Sequence, residues 1–180
     1  YRGYHHIFYQ FNPWTDKHPG AVPEHGTGWG HARSPNLVDW EFLPPVLLPS
    51  PATRDCLVAS GSAMIRADGS PIILFTHTPI DFPQHKREQW AAEPLDEDLL
   101  SWHRLDIGLA AGLNGVPADI KPIWADPFLF RADDGVFATF KESNGLICQA
   151  QNNQLTAWKA VGHIQGADGE CPNLFPLENR

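Results

Sequence analysis

Glu170 stands immediately before Cys171-Pro172-Asn173-Leu174-Phe175-Pro176, a run apolar enough to take water away from its carboxyl group. Desolvation disfavours a carboxylate, raises its pKa and suits the group to donating a proton near neutral pH. Two further polar points, Ser60-Gly61 and Asp126-Pro127, fall at matching positions of an internal repeat. Polar groups at equivalent places of a repeated unit predict one shared pocket, with Glu170 as its proton donor.

The elements that must carry these groups are short strands. Residues 61–69 align with 126–135, each an apolar segment that ends in Asp-Gly and is followed by a second apolar segment, Ile72 to Thr76 or Val136 to Phe140. Asp and Gly tolerate the positive φ of a tight turn, so both units read as hairpins. A second alignment pairs Leu37-Val38-Asp39-Trp40, Leu99-Leu100-Ser101-Trp102 and Leu155-Thr156-Ala157-Trp158, each at the end of its unit. The tryptophans recur about every sixty residues, a period that fits a four-stranded β-propeller blade. The strands at Ser60, Asp126 and Glu170 are then the innermost of successive blades, and the Trp segments lie farther out as packing residues. Three units cannot close a ring and would leave bare sheet edges, so further blades are expected on both sides.

Composition agrees with an all-β chain. Its 180 residues include 17 Pro and 15 Gly, with 42% hydrophobic content, enough for one domain with a core and little helix. A net charge of -8 argues against nucleic acid or an anionic membrane as partner. No apolar run is long enough to span a bilayer as a helix. Three cysteines (Cys56, Cys148, Cys171) form no disulfide framework and no C-x-x-C pair. The nine histidines lack metal-ligand spacing, with His5 and His6 alternating across a strand, so neither metal nor cofactor is expected. Val58-Ala59-Ser60-Gly61-Ser62 is not a G-x-S-x-G elbow, which excludes that serine-hydrolase arrangement.

Six segments in order, Tyr9-Gln10-Phe11-Asn12-Pro13, Trp29-Gly30-His31-Ala32, Asn36-Leu37-Val38-Asp39-Trp40, Ser60-Gly61-Ser62-Ala63, Asp126-Pro127 and Glu170-Cys171-Pro172, resemble glycoside hydrolase family 32 nearly end to end. The family comprises invertases, inulinases, levanases and related fructosyltransferases. The resemblance implies an all-β fold, part of a five-bladed β-propeller from the end of blade one to the start of blade four. Residues 1–180 are then one partial catalytic domain, without the family's C-terminal β-sandwich. It further implies retaining cleavage of β-fructofuranosides, for which two carboxyl groups flank the anomeric carbon, one attacking and one protonating the leaving oxygen.

By the same resemblance Glu170 is the acid/base, and Asp126 binds fructose hydroxyls and stabilises the transition state. Gln10 matches a fructose-binding glutamine and Ser60 a pocket hydroxyl. Trp29 and Cys171 complete the substrate-binding set, Trp29 reading equally well as core and Cys171 as a packing thiol able to tune Glu170. Asn12 reads as a turn cap before Pro13. The polar stretch from Trp14 to Thr27 is expected on the funnel rim, where loops set leaving-group preference. Two departures stand out: Ala125 replaces the family's arginine before the aspartate, which implies either a loss of full sucrose-type activity or altered substrate placement with a cation supplied from another loop, and Ala59 replaces an aromatic. The family's nucleophile motif, Asn-Asp-Pro-Asn-Gly, lies in relatives ahead of the position matching Tyr1 and is absent from these residues, so by themselves they are not expected to hydrolyse fructosides. The expected partner is a fructose-containing oligo- or polysaccharide. A fructosyltransferase, a sugar-binding propeller without catalysis, and a neighbouring arabinoside-hydrolase family are the alternatives.

Overall fold

A computed structural model describes residues 1–14, 26–132 and 135–175. Among the described residues there are strands and turns and no helix, in keeping with the proline and glycine content. The strands are β1 (His5–Phe11), β2 (Gly28–Ser34), β3 (Glu41–Leu47), β4 (Asp55–Ile65), β5 (Pro71–Pro79), β6 (Glu88–Pro94), β7 (Trp102–Leu109), β8 (Ala125–Ala132), β9 (Gly135–Lys141), β10 (Leu146–Ala150) and β11 (Trp158–His163).

They form three antiparallel meanders in chain order, β1-β2-β3, β4-β5-β6-β7 and β8-β9-β10-β11. Strand β4 packs beside β8, so the first strands of the second and third sheets face one another as the inner strands of blades do, and β2 of the first sheet also touches β4. The core is poured between sheets. Ile72, Leu74, Trp124, Leu129, Phe140 and Trp158 pack between the second and third, and Trp29, Val58, Ile73 and Phe75 between the first and second.

The Leu-x-x-Trp repeat has a physical reason. In each sheet the leucine closes a turn in a left-handed conformation, with φ of 64° at Leu37, 60° at Leu99 and 58° at Leu155. The tryptophan three residues on donates its indole N–H to that leucine's carbonyl, at 3.3, 3.0 and 2.7 Å respectively. An Asx side chain supports each turn by accepting backbone N–H groups: Asn36, Asp96 and Asn152. In the two four-stranded sheets this turn joins the third strand to the fourth. In the first it joins β2 to β3, so β1, β2 and β3 match the second to fourth strands of the others. Trp102 and Trp158 also pack against the core clusters, so in the two four-stranded sheets the tryptophan is a packing residue.

The hairpin turn at Asp68-Gly69 is present, Gly69 having φ of 85° and Asp68 Oδ1 accepting the Ser70 N–H at 3.0 Å. Its expected counterpart at 133–134 lies outside the described residues, as do most of the rim loop (15–25) and 176–180. One expectation is corrected. Glu170 does not sit in an inner strand, because no strand is formed between 164 and 175. Cys171 adopts a left-handed φ of 46°, and Pro172 has no N–H to give to a ladder.

Candidate active site

Two β-bulges set up the site. Ala59 pairs with Thr76 and Gly61 with Phe75, which leaves Ser60 as an extra residue on β4. On β8, Ala125 pairs with Lys141 and Phe128 with Thr139, so Asp126 and Pro127 together oppose Phe140. A bulge bends its strand and re-aims one side chain. Here both bulges fall at the repeat-equivalent positions that the sequence singles out. Asp126 also carries a positive φ of 56°, a strained state for a residue with a Cβ. Its backbone is held there by the buried Thr76, whose hydroxyl accepts the Asp126 N–H at 2.9 Å and donates to Gln89 Oε1 at 2.9 Å.

Gly61 explains how β5 can pair so closely with β4 at this bulge. A Cβ on it would lie 2.1 Å from the Leu74 carbonyl oxygen, so only glycine permits this pairing. One residue farther on, the Ser62 hydroxyl donates to the Pro127 carbonyl at 2.9 Å and accepts the Leu129 N–H at 2.8 Å. The two inner strands are thus stitched side by side next to their bulges.

The side chains then meet in a short chain. Gln10, near the end of β1, donates from Nε2 to Ser60 Oγ at 3.3 Å. Asp126 Oδ2 accepts the Cys171 N–H at 3.3 Å, with the Cys171 thiol 3.7 Å away. Burial and the Asp126 carboxylate push the Cys171 thiol above its ordinary pKa, while the Ser60 hydroxyl pulls the other way. Residues from three sheets and from the 170–171 segment therefore act on one another across a single edge. A cleft of about 200 Å³ opens beside them, lined by Phe8, Gln10, Trp29, Ser60 and Gly61 among others.

Trp29 contributes to that wall from within the core. It is buried, and its indole N–H donates to the Ala59 carbonyl at 2.9 Å. Asn12 accepts the Trp14 N–H at 3.0 Å, the turn role anticipated for it. Cys171 is exposed, unlike the buried packing thiol expected.

The Glu170 carboxylate departs further from expectation. Its side chain is 77% exposed and forms an ion pair with Lys141 Nζ. Its pKa is accordingly lowered, by hydrogen bond and charge from Lys141, where the apolar sequence context suggests a rise. The strand that would have desolvated it does not form.

Lys141 and Thr76 are site residues that sequence reasoning missed. Thr76 carries a weak signal as the first polar residue after the apolar run Ile72 to Phe75. Lys141 carries none, because its relation to Ala125 and Glu170 exists only through strand register. Among the described residues no cluster of His, Cys, Asp and Glu could hold a metal ion.

Comparison with known proteins bears on what such an edge is for. A model of the glycosyl hydrolases family 32 N-terminal domain matches residues 1–180. The chain is 41% identical over 188 residues to beta-fructofuranosidase, insoluble isoenzyme CWINV3, of Arabidopsis thaliana, covering 98% of this chain and 31% of that protein. Among solved structures, fructan 1-exohydrolase IIa from Cichorium intybus superposes with a TM-score of 0.70 at 26% identity, over 91% of this chain and 30% of that one. A variant of the GH32 beta-fructofuranosidase of Bombyx mori, in complex with sucrose, superposes with a TM-score of 0.71 at 26% identity, over 99% and 37%. The chain thus spans about a third of the length of these relatives. With a family model matched along its whole length and sheets that superpose on solved fructosidases, the chain belongs to glycoside hydrolase family 32 and forms part of its five-bladed propeller.

Proposed function

We propose that these residues form part of the catalytic propeller of a retaining hydrolase of β-fructofuranosides, of the sucrose, inulin or levan type. Glu170 protonates the leaving-group oxygen and then activates water. Asp126 accepts hydrogen bonds from fructose hydroxyls that strengthen as the ring becomes oxocarbenium-like. Gln10 and Ser60 hold the fructose from the opposite side, Trp29 backs the cleft, and Cys171 ties the Glu170 segment to Asp126. None of the described residues takes the nucleophile's part. The observation that carries the reading is the Cys171 N–H bonded to Asp126 Oδ2, which brings the two acidic segments to one edge.

The relatives' substrates support the class: one solved relative is a fructan exohydrolase variant in complex with 1-kestose, another a fructofuranosidase variant in complex with sucrose. The test is fructose release from sucrose, 1-kestose, inulin and levan by the full-length protein carrying these residues, with Glu170→Gln as control. Turnover lost in the variant supports the reading, and turnover near wild type rejects Glu170 as the acid/base. Longer fructosylated products in the same assay identify transfer rather than hydrolysis.

A second reading is a sugar-binding propeller without catalysis, favoured by the ion pair that holds Glu170 as a carboxylate. It predicts 1-kestose binding by calorimetry with no fructose released at any pH.

A further inference from the structure

Lys141 closes β9 directly across the ladder from Ala125, the residue before Asp126. Opposed residues of an antiparallel pair project to the same face with their Cβ atoms about 5 Å apart. Ala125 is 1% exposed and offers only a methyl group there, which leaves the lysine stem room to run past it. The Lys141 side chain is itself only 18% exposed, and its ammonium ends on Glu170 Oε1. A lysine tethered by its stem and held by one carboxylate is a fixed charge, unlike the mobile ion pairs of an open surface.

We propose that Lys141 is a positioning residue of this site, anchoring the Glu170 carboxylate beside β8 and governing when Glu170 carries a proton. The inference rests on the fructosidase reading for its catalytic consequence, though not for the pairing itself. Other charges around the segment do not compete for Glu170. Lys121 pairs with Glu142, and with Asp168 at 3.6 Å. Asp126, facing from β8, is engaged by the Cys171 N–H. Cys171, the next residue on its own segment, has its thiol turned to Asp126.

The chemical consequence follows from sign. A general acid acts only while protonated, and an adjacent ammonium favours its ionised form. The lowered Glu170 pKa therefore sets the alkaline limb of activity at lower pH than a carboxyl group without such a partner would. As base in the second half-reaction the same residue gains, since it must then be ionised to activate water. Lys141 would bias the enzyme toward mildly acidic conditions while holding the carboxylate in one orientation.

The experiment uses the full-length protein carrying these residues. Glu170 is titrated by ¹³C NMR of its side-chain carboxyl, identified by the signal lost in Glu170→Gln. In Lys141→Met its midpoint is expected to move to higher pH, with the alkaline limb of kcat/KM for sucrose following, whereas Lys141→Arg keeps both near wild type. Should Lys141→Met not fold, raising salt to 1 M in the wild type must shift the midpoint the same way, because the pair is partly exposed and screened. An unchanged Glu170 midpoint under these perturbations overturns the proposal. If the wild type cleaves no fructoside at all, the fructosidase reading fails while the titration still decides the role of Lys141.

Discussion

The backbone N–H of Cys171 lies 3.3 Å from Oδ2 of Asp126, so the residue following one acid is latched to the other acid itself. Hydrogen bonds to a charged acceptor are about twice as strong as neutral ones, so Asp126 acts as a structural clasp in addition to the sugar-binding role proposed for it. Asp126→Asn keeps an oxygen acceptor and loses the charge. It is expected to lower kcat for sucrose by roughly 10²–10³-fold, as removal of one electrostatic contact to a transition state does, with little change in thermal unfolding. A drop in melting temperature that accounts for the lost activity would count against the catalytic role.

Glu170→Gln removes the proposed proton donor while keeping size. Turnover of sucrose should fall by roughly 10²–10⁴-fold. From an aryl fructoside such as p-nitrophenyl β-fructofuranoside the p-nitrophenolate leaves without protonation, so the first step should be far less affected, seen as a burst of p-nitrophenolate. Equal loss on both substrates would mean that Glu170 is not the acid.

Asp55 is a buried carboxylate with no side-chain exposure, and Arg104 Nη1 approaches it to 2.6 Å while Nη2 donates to the Leu48 carbonyl at 2.6 Å. Ser50 N–H and the Thr53 hydroxyl complete the shell at 2.9 and 2.6 Å. Arg104→Met leaves the carboxylate buried without its cation and should cost about 3–5 kcal/mol. Urea unfolding of the full-length protein reads this. A change within about 0.5 kcal/mol would mean that water already screens the pair.

Two histidines make stability depend on pH. Burial pushes His31 down to about 4, helped by His6 and Arg33, and His31 lies 2.9 Å from His6 and stacks on Phe8. Burial likewise pushes His77, stacked on Trp90, down to about 4, with Asp55 opposing and Arg104 reinforcing. With folded values below the ordinary 6.5, the unfolded chain binds protons first. Their stabilisation is complete above about pH 6.5 and is lost as pH falls toward about 4. Each imidazole contributes a slope of up to about 1.4 kcal/mol per pH unit in that window. His77→Gln should flatten the dependence in urea titrations between pH 4 and about 6.5, and an unchanged slope would show that His77 is not the group responsible.

The repeated leucine turn allows an internal comparison. Leu37 and Leu99 share the left-handed backbone, yet Leu37 is 59% exposed and Leu99 1%. Leu37→Gly relieves backbone strain at little packing cost and should stabilise by up to about 1 kcal/mol. Leu99→Gly relieves the same strain but empties a core site and should destabilise by about 2–4 kcal/mol. Both shifts appear as melting-temperature changes of opposite sign. A loss at Leu37 as large as that at Leu99 would mean that strain plays no part in this turn.

Much of the fold could be read from residue order alone. The Asp68-Gly69 turn and the three Leu-x-x-Trp units are local features: a left-handed residue and an indole three positions later need only their own segment to form a turn. Their spacing therefore announced blades, and the ordered motifs from Tyr9-Gln10 to Glu170-Cys171 announced the family. The matched positions of Ser60 and Asp126 also emerged from the chain by itself, because a bulge recurs wherever its unit recurs.

What sequence could not supply was everything that depends on register between strands or on the path after β11. Glu170 precedes apolar residues, and composition alone predicts a desolvated carboxyl group. The left-handed Cys171 and donorless Pro172 instead keep the segment out of a ladder, and the carboxylate meets Lys141. That lysine is 29 residues away in sequence and reaches the site because β9 pairs with β8 at Ala125. Motif order singled out Asp126 and Glu170 as candidates, and long-range strand pairing decided that Glu170 faces the Lys141 ammonium.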